Sequence, residues 1–360
     1  MLDVMIVGGG PVGSQLAKKF REKSGEDLDV LVIERSEEIG EPLACSGHVS
    51  PDIKNFLSEE EFEEIYQNEI RGARFHVSGK NYEFFKKDET VSYVINRIGL
   101  DKIKAEQARD AGAEYNLDET VEEVEEKDDC VKVSTDRGKY EAKVLAGCDG
   151  ASSKVRDEVG LEEPDHFYQG ILCFTEEKDS SDFVDVLMDV PEFFGWRIPR
   201  SDSVEYGAGV PKGENTMKWL DEVTEKFDIE KEKRRNVCAG AIPIGPPERV
   251  TSDRVFLVGD AAGQTKPFTG GGILYGMRAA TIAAREIDPE EPDLQEYEDA
   301  WRSELRNEIL LGKFIERIYS MPSPVQMLGM GLFEGEIGVH MDRPTTLLSV
   351  EQLKAMLPWS

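Results

Sequence analysis

Six residues constrain this chain more than any other feature: Gly8-Gly9-Gly10-Pro11-Val12-Gly13. They follow Val4-Met5-Ile6-Val7, a short apolar run that reads as a strand buried on both faces. After them Leu16, Ala17 and Phe20 recur at helical spacing, and Val30-Leu31-Val32-Ile33 is a second buried run ending at Glu34. Strand, glycine turn, helix and strand make a βαβ opening. In a G-x-G-x-x-G turn the first glycine permits the tight bend, the second lets a pyrophosphate approach the backbone, and the third lets the helix pack closely. The helix N-terminus then offers free N–H groups and the positive end of its dipole to the phosphates. Glu34 follows Gly13 by 21 residues, where a carboxylate accepts hydrogen bonds from ribose hydroxyls. Gly8, Gly10, Gly13, Glu34 and the adjacent Arg35 are therefore candidate dinucleotide ligands.

A second glycine-rich loop shares the work. The apolar run Val255-Phe256-Leu257-Val258 leads into Gly259-Asp260-Ala261-Ala262-Gly263, and Thr269-Gly270-Gly271-Gly272-Ile273 opens another helix. A nicotinamide dehydrogenase has no need of this element. A longer dinucleotide such as FAD needs both loops, one for adenosine and one for the ribityl chain and ring. Asp260 is the carboxylate candidate there, and Gly271, Gly272 and Ile273 offer backbone N–H groups.

Charge narrows the partners. Seventy-three acidic residues against 43 basic ones give a net charge of −30, which argues against nucleic-acid binding, since phosphates must be neutralised by Lys and Arg. It also disfavours electrostatic docking on an anionic membrane. At about 1 M salt the Debye length shrinks to about 3 Å and such self-repulsion is screened, so a salt-rich cytoplasm is one reading and an ordinary acidic surface the other. Five cysteines with no C-x-x-C pair suit a reducing compartment rather than a disulfide framework or zinc site. His48, His76, His166 and His340 show no metal-ligand spacing, and no metal is expected. No apolar run reaches the length of about 20 residues that a spanning helix requires. A cytoplasmic protein is expected, with transient contact at the inner membrane face if its substrate is a lipid.

The paired loops resemble the flavoprotein superfamily of aromatic hydroxylases and geranylgeranyl reductases. The resemblance spans residues 1–290 and implies an α/β fold: a Rossmann-like FAD-binding domain (1–70, 96–165 and 246–290), an inserted antiparallel β-sheet substrate domain (71–95 and 166–245) and a helical C-terminal region (291–360). It implies that Asp260 holds the ribityl or pyrophosphate region, that Arg97 contacts FAD from the substrate side, and that the backbone of Val121 meets the adenine. Cys148-Asp149-Gly150 resembles the superfamily's internal D-G motif, with a plain Asp-Gly turn as the equal alternative.

Two further segments resemble the archaeal geranylgeranyl reductases in particular. Pro42-Leu43-Ala44-Cys45-Ser46-Gly47 is similar to their loop beside the isoalloxazine ring, so Cys45 and Ser46 are implied to face the flavin. Phe194-Gly195-Trp196-Arg197-Ile198-Pro199-Arg200 is similar to their Y-x-W-x-F-P-K motif, with Phe194, Ile198 and Arg200 as departures, and implies that Phe194, Trp196 and Pro199 line the substrate pocket. Phe193 and Tyr206 could join such an aromatic tunnel or be plain core. Gly263 stands where the hydroxylases usually carry His. The implied activity is saturation of prenyl double bonds on an isoprenoid lipid, with Cys45 or a water beside it as acid and an external donor (ferredoxin, nicotinamide or another reduced carrier) supplying electrons. An FAD-dependent monooxygenase or halogenase is the enzymatic alternative, since the same 194–199 segment resembles the halogenase W-x-W-x-I-P motif. A non-catalytic prenyl-lipid carrier is the alternative of another class.

Overall fold

The computed structural model describes residues 1–24, 28–43, 45–326 and 340–348. The chain divides into two units, residues 1–43, 97–166 and 243–309 in the first and 44–96, 167–242 and 310–360 in the second.

The first unit is built on a seven-stranded sheet. Its parallel part runs in the order Glu114–Asn116, Val30–Ile33, Leu2–Val7, Lys139–Gly147. Beside Leu2–Val7, Lys139–Gly147 is long enough to serve two further neighbours. Its first half pairs antiparallel with Val131–Thr135, and its last residues pair parallel with Val255–Leu257. The Val4–Val7 and Val30–Ile33 runs are buried throughout, as strands covered on both faces must be. Helices Pro11–Ser24, Arg97–Asp110 and Ile273–Glu286 belong to this unit. Tyr297, Trp301, Leu305 and Ile309 of helix Leu294–Glu316 join its core, so residues 291–309 complete this first unit rather than forming a separate region.

The second unit carries a seven-stranded sheet ordered Arg235–Ile244, His166–Thr175, Val204–Pro211, Gly195–Pro199, Phe183–Leu187, Gly72–Val77, Lys80–Lys86. From His166–Thr175 to Lys80–Lys86 the neighbours pair antiparallel, except that Phe183–Leu187 runs parallel to Gly72–Val77. Those two strands are joined by a long excursion rather than a hairpin, which is what a parallel pair requires. Helix Thr216–Lys226 covers one face, packing Leu220 and Val223 on Ile171, Cys173, Tyr206 and Ala208.

Residues 44–70 depart from the expected boundary and cluster with this second unit. The reason is strand pairing: helix Glu59–Ile65 stops where Tyr66–Ile70 begins, and that strand and His48–Val49 both pair with Ser92–Ile95. The expected helix over 58–69 is thereby cut short. Of the apolar tail 321–333, residues 327–333 lie outside the described residues, and Met321 and Val325 are exposed.

Candidate functional site

Gly8, Glu34 and Asp260 each follow the C-terminal end of a parallel strand, the edge where open α/β sheets bind ligands, whereas Val121 opens an antiparallel strand and Arg97 a helix. Gly8 follows Leu2–Val7 with φ +106°. A Cβ there would overlap the carbonyl of Cys148, because the neighbouring strand passes directly beside it. Gly13 is excluded from carrying a side chain by the Gly8 carbonyl. Gly10 is different: a Cβ there would meet nothing within 4 Å, so open space, not packing, adjoins this glycine.

The two glycine loops meet. Val12, in the first turn of Pro11–Ser24, packs against Gly259 and Gly276, where a Cβ would stand 3.1 and 2.5 Å from its methyl groups. The turn after Val255–Leu257 is fixed from within. The Gly259 N–H donates to Gln264 Oε1 (2.8 Å), Gln264 Nε2 donates to the Tyr297 hydroxyl (3.0 Å), and that hydroxyl donates to the Leu257 carbonyl (2.9 Å). Gly259 and Gly263 both take positive φ, so the chain doubles back and leaves Asp260 at the rim.

Asp260 lies against the backbone of Gly272, the N-cap of helix Ile273–Glu286, which has no side-chain cap. Its carboxylate accepts no hydrogen bond among the described residues. Burial pushes its pKa up to about 6, opposed by the Arg97 guanidinium. Arg97 opens helix Arg97–Asp110, pairs with Asp101 and is largely buried, with Nε left without a partner. Asp260, Arg97 and the Gly271-Gly272-Ile273 backbone are thus gathered in one place.

Glu34 reaches back over the first loop. Its carboxylate accepts from the Gly9 N–H (2.7 Å) and the Ser36 N–H (2.9 Å). The segment that leads to Val121 is tied alongside it, with the Glu119 N–H donating to the Glu34 carbonyl (3.0 Å). Arg35 is exposed. Asp149 resolves toward the plain turn: its carboxylate accepts from Ser153 Oγ (2.6 Å) and the Val155 N–H (3.1 Å), holding the start of helix Lys154–Glu158, and burial raises its pKa.

These features fit a bound dinucleotide. An open space at Gly10, a helix start at Gly272 without a side-chain cap, a half-buried carboxylate without a hydrogen-bond partner and a buried guanidinium nitrogen without one are features that the fold itself does not use. Gly8, Gly10 and Gly13 suit the pyrophosphate, Glu34 the ribose, and Asp260 with the 271–273 backbone the far end.

The second unit holds the remaining candidates. Trp196 and Gly207 are register partners in adjacent strands, and the indole lies flat where a Gly207 Cβ would be. Its Nε1 donates to Glu205 (2.8 Å). Phe194 stacks on Phe193 (4.3 Å between centroids) and meets Trp196 edge-on (5.9 Å). The Pro199 carbonyl accepts from Asn68 Nδ2 (3.0 Å). Tyr206 does not join this cluster. It pairs in register with Arg197, one residue out of phase with Trp196, and therefore points to the opposite face, under helix Thr216–Lys226. Cys45 and Ser46 are both partly buried. Glu205 and the glycines at 207 and 209 are the members that sequence reading missed. The signal was present in the alternation, since positions 205, 207 and 209 share one face of their strand.

The family model described as lycopene cyclase protein matches residues 3–319, so in its widest grouping the chain is a member of that family. A digeranylgeranylglycerophospholipid reductase of Methanocaldococcus jannaschii is 31% identical over 328 residues, 83% of this chain and 82% of the relative. The chain belongs to the geranylgeranyl reductase family. A second member, a digeranylgeranylglycerophospholipid reductase of Methanopyrus kandleri, is 30% identical over 85% of this chain and 87% of its own length. The geranylgeranyl reductase fold is also that of a geranylgeranyl bacteriochlorophyll reductase-like protein from Thermoplasma acidophilum, at a TM-score of 0.84 and 21% identity over 99% of this chain and 95% of that one. Among the described residues no helix is long and apolar enough to cross a membrane.

Proposed function

We propose that this chain is an FAD-dependent reductase that saturates the geranylgeranyl double bonds of an archaeal ether phospholipid or its precursor. The observation that carries the reading is the 31% identity to a digeranylgeranylglycerophospholipid reductase across 82% of that relative. The open space at Gly10 and the unsatisfied groups of Asp260 and Arg97 support the cofactor. Gly8, Gly10, Gly13, Asp260 and Arg97 would hold the FAD, which when bound and reduced by an external donor would supply hydride chemistry.

The protein's own residues do the rest. Gly8, Gly10 and Gly13 bring backbone to the pyrophosphate, with Glu34 on the ribose. Asp260, Arg97 and the 271–273 backbone hold the ribityl and ring end. An isolated prenyl double bond is a poor electrophile, so a proton must reach the second carbon as the hydride reaches the first, and a positioned acid is required. Cys45, or a water held beside it, fills that role. Phe194, Trp196 and Pro199 present the apolar surface along which a prenyl chain lies. Contact with the membrane is peripheral and transient.

The test is anaerobic. The flavin-loaded protein is reduced chemically in high salt and mixed with a geranylgeranyl ether phospholipid, and flavin absorbance and lipid mass are followed together. Flavin reoxidation with a gain of two hydrogens per double bond is expected. Stable reduced flavin with an unchanged lipid would overturn the assignment. Flavin reoxidation that requires oxygen would favour a monooxygenase, and a purified protein unable to bind flavin would favour a carrier.

A further inference from the structure

Arg200 is 5% exposed and Glu205 is fully buried. The guanidinium uses four contacts to hold three other segments. Nη1 donates to Glu205 Oε2 (2.8 Å) and to the Ser46 carbonyl, and Nη2 donates to Gln67 Oε1 (2.6 Å) and the Ile95 carbonyl (3.0 Å). Glu205 also accepts from the indole of Trp196, and the guanidinium stacks over Phe174. One residue further along the loop, the Gly47 carbonyl accepts from the Ile95 N–H (3.0 Å). Two successive carbonyls next to Cys45 are therefore pinned from inside the unit.

Such a pair is an expensive way to hold a fold together. Two charges removed from water lose their solvation, and apolar residues of like volume often stabilise as well or better. What an apolar replacement cannot do is grip Ser46, Gln67 and Ile95 at fixed angles, which the planar guanidinium fork does. A lysine, the residue found here in the motif this chain resembles, has a single nitrogen and cannot span all four acceptors.

We propose that the Arg200–Glu205 pair is a positioning device that fixes the Cys45-Ser46-Gly47 loop and the Trp196 ring relative to one another, so that the acid and the prenyl-binding surface are set by one buried fork. The consequence for catalysis rests on the reductase reading above, but the placement of the loop does not.

Arg200→Lys keeps a positive charge against Glu205 and so preserves the fold, while losing the grip on Ser46. Two readouts are taken on the full chain. One is the rate at which iodoacetamide alkylates Cys45 in the cofactor-free protein, read by peptide mass spectrometry with Cys238, whose thiol burial pushes up to about 11, as the slow internal reference. The other is the kcat and KM for reoxidation of the reduced protein by the geranylgeranyl lipid. Alkylation of Cys45 is expected to accelerate at least fivefold, and kcat to fall about tenfold with KM within twofold, at an unchanged melting temperature. The charge-free pair Arg200→Met with Glu205→Gln should reproduce both effects. The proposal is overturned if Arg200→Lys melts like the wild type with unaltered alkylation and kcat. It is equally overturned if alkylation rises only in proportion to lost melting temperature, which is what a merely structural pair would give. A wild-type protein that leaves the lipid unreduced refutes the reductase reading alone, because the alkylation comparison still decides where the loop is held.

Discussion

Replacing Asp260 by Asn is expected to stabilise the cofactor-free protein and weaken its hold on the cofactor. The Asp260 carboxyl titrates at about 6 instead of 3.8, chiefly because burial disfavours its charged form. Between those two values the native state binds more protons than the unfolded chain, so stability falls as pH rises through that window and the full penalty stands above it. A displacement from 3.8 to about 6 is equivalent to about 3 kcal/mol. The side chain is only partly buried, and solvent screening on its open side reduces this to about 1–2 kcal/mol. Asparagine has the same shape and no charge to desolvate. In a chain of this size the gain is about 2–4 °C in melting temperature.

The assay is thermal melting of cofactor-free wild type and Asp260→Asn from pH 4 to 8 at constant high salt. The gap between the two should be small near pH 4, open between pH 4 and 6, and level off at about 2–4 °C by pH 7. Titration with FAD should show affinity reduced at least about tenfold, the value of one lost hydrogen bond to a charged acceptor. Such an exchange of stability for binding marks a residue retained for its ligand. The reasoning is refuted if Asp260→Asn melts at or below the wild type at pH 7.5, or if the gap does not change with pH.

Three further outcomes follow from the geometry. Gly10→Ala should melt within about 1 °C of the wild type, since its Cβ meets nothing, yet lose at least about tenfold in FAD affinity by fluorescence titration because the Cβ fills the pyrophosphate's place; Gly13→Ala should instead melt far lower, its Cβ colliding with the Gly8 carbonyl. Gly207→Ala should displace the Trp196 ring, leaving flavin binding intact while slowing lipid-driven reoxidation at least about tenfold in stopped flow. Cys45→Ala should leave chemical reduction of the flavin unchanged and slow reoxidation by the lipid about 100-fold, the usual worth of a positioned acid.

The parallel sheet of the first unit was legible because buried strands, glycines and an acid occur in a fixed local order from Val4 to Glu34. The affiliation of residues 44–70 was not, because it depends on Tyr66–Ile70 and His48–Val49 finding Ser92–Ile95, and nothing in an acidic helix and a Pro-Ser-Gly loop announces that partner. Glu205 was passed over for a similar reason. An acid in a strand reads as solvent-facing until its same-face neighbours are counted, and Trp196 and Arg200 supply its bonds only once the hairpin register is set.

Asp149 and Asp260 show where local reading reaches its end. Both follow a buried parallel strand, both adjoin a glycine in a turn, and both precede a helix. The sequence around Asp149 offers a turn-forming aspartate or a ligand-binding one, while Asp260 reads as a ligand-binding one. Their surroundings separate them. The carboxylate of Asp149 is used up by Ser153 and Val155, so the fold needs it and a ligand would have to compete for it. The carboxylate of Asp260 has no such use, although Gln264 and Tyr297 spend three hydrogen bonds holding the turn that presents it. A half-buried carboxylate that accepts no hydrogen bond among the described residues is a cost to the apoprotein, and a turn that maintains that cost supports the ligand role proposed for Asp260.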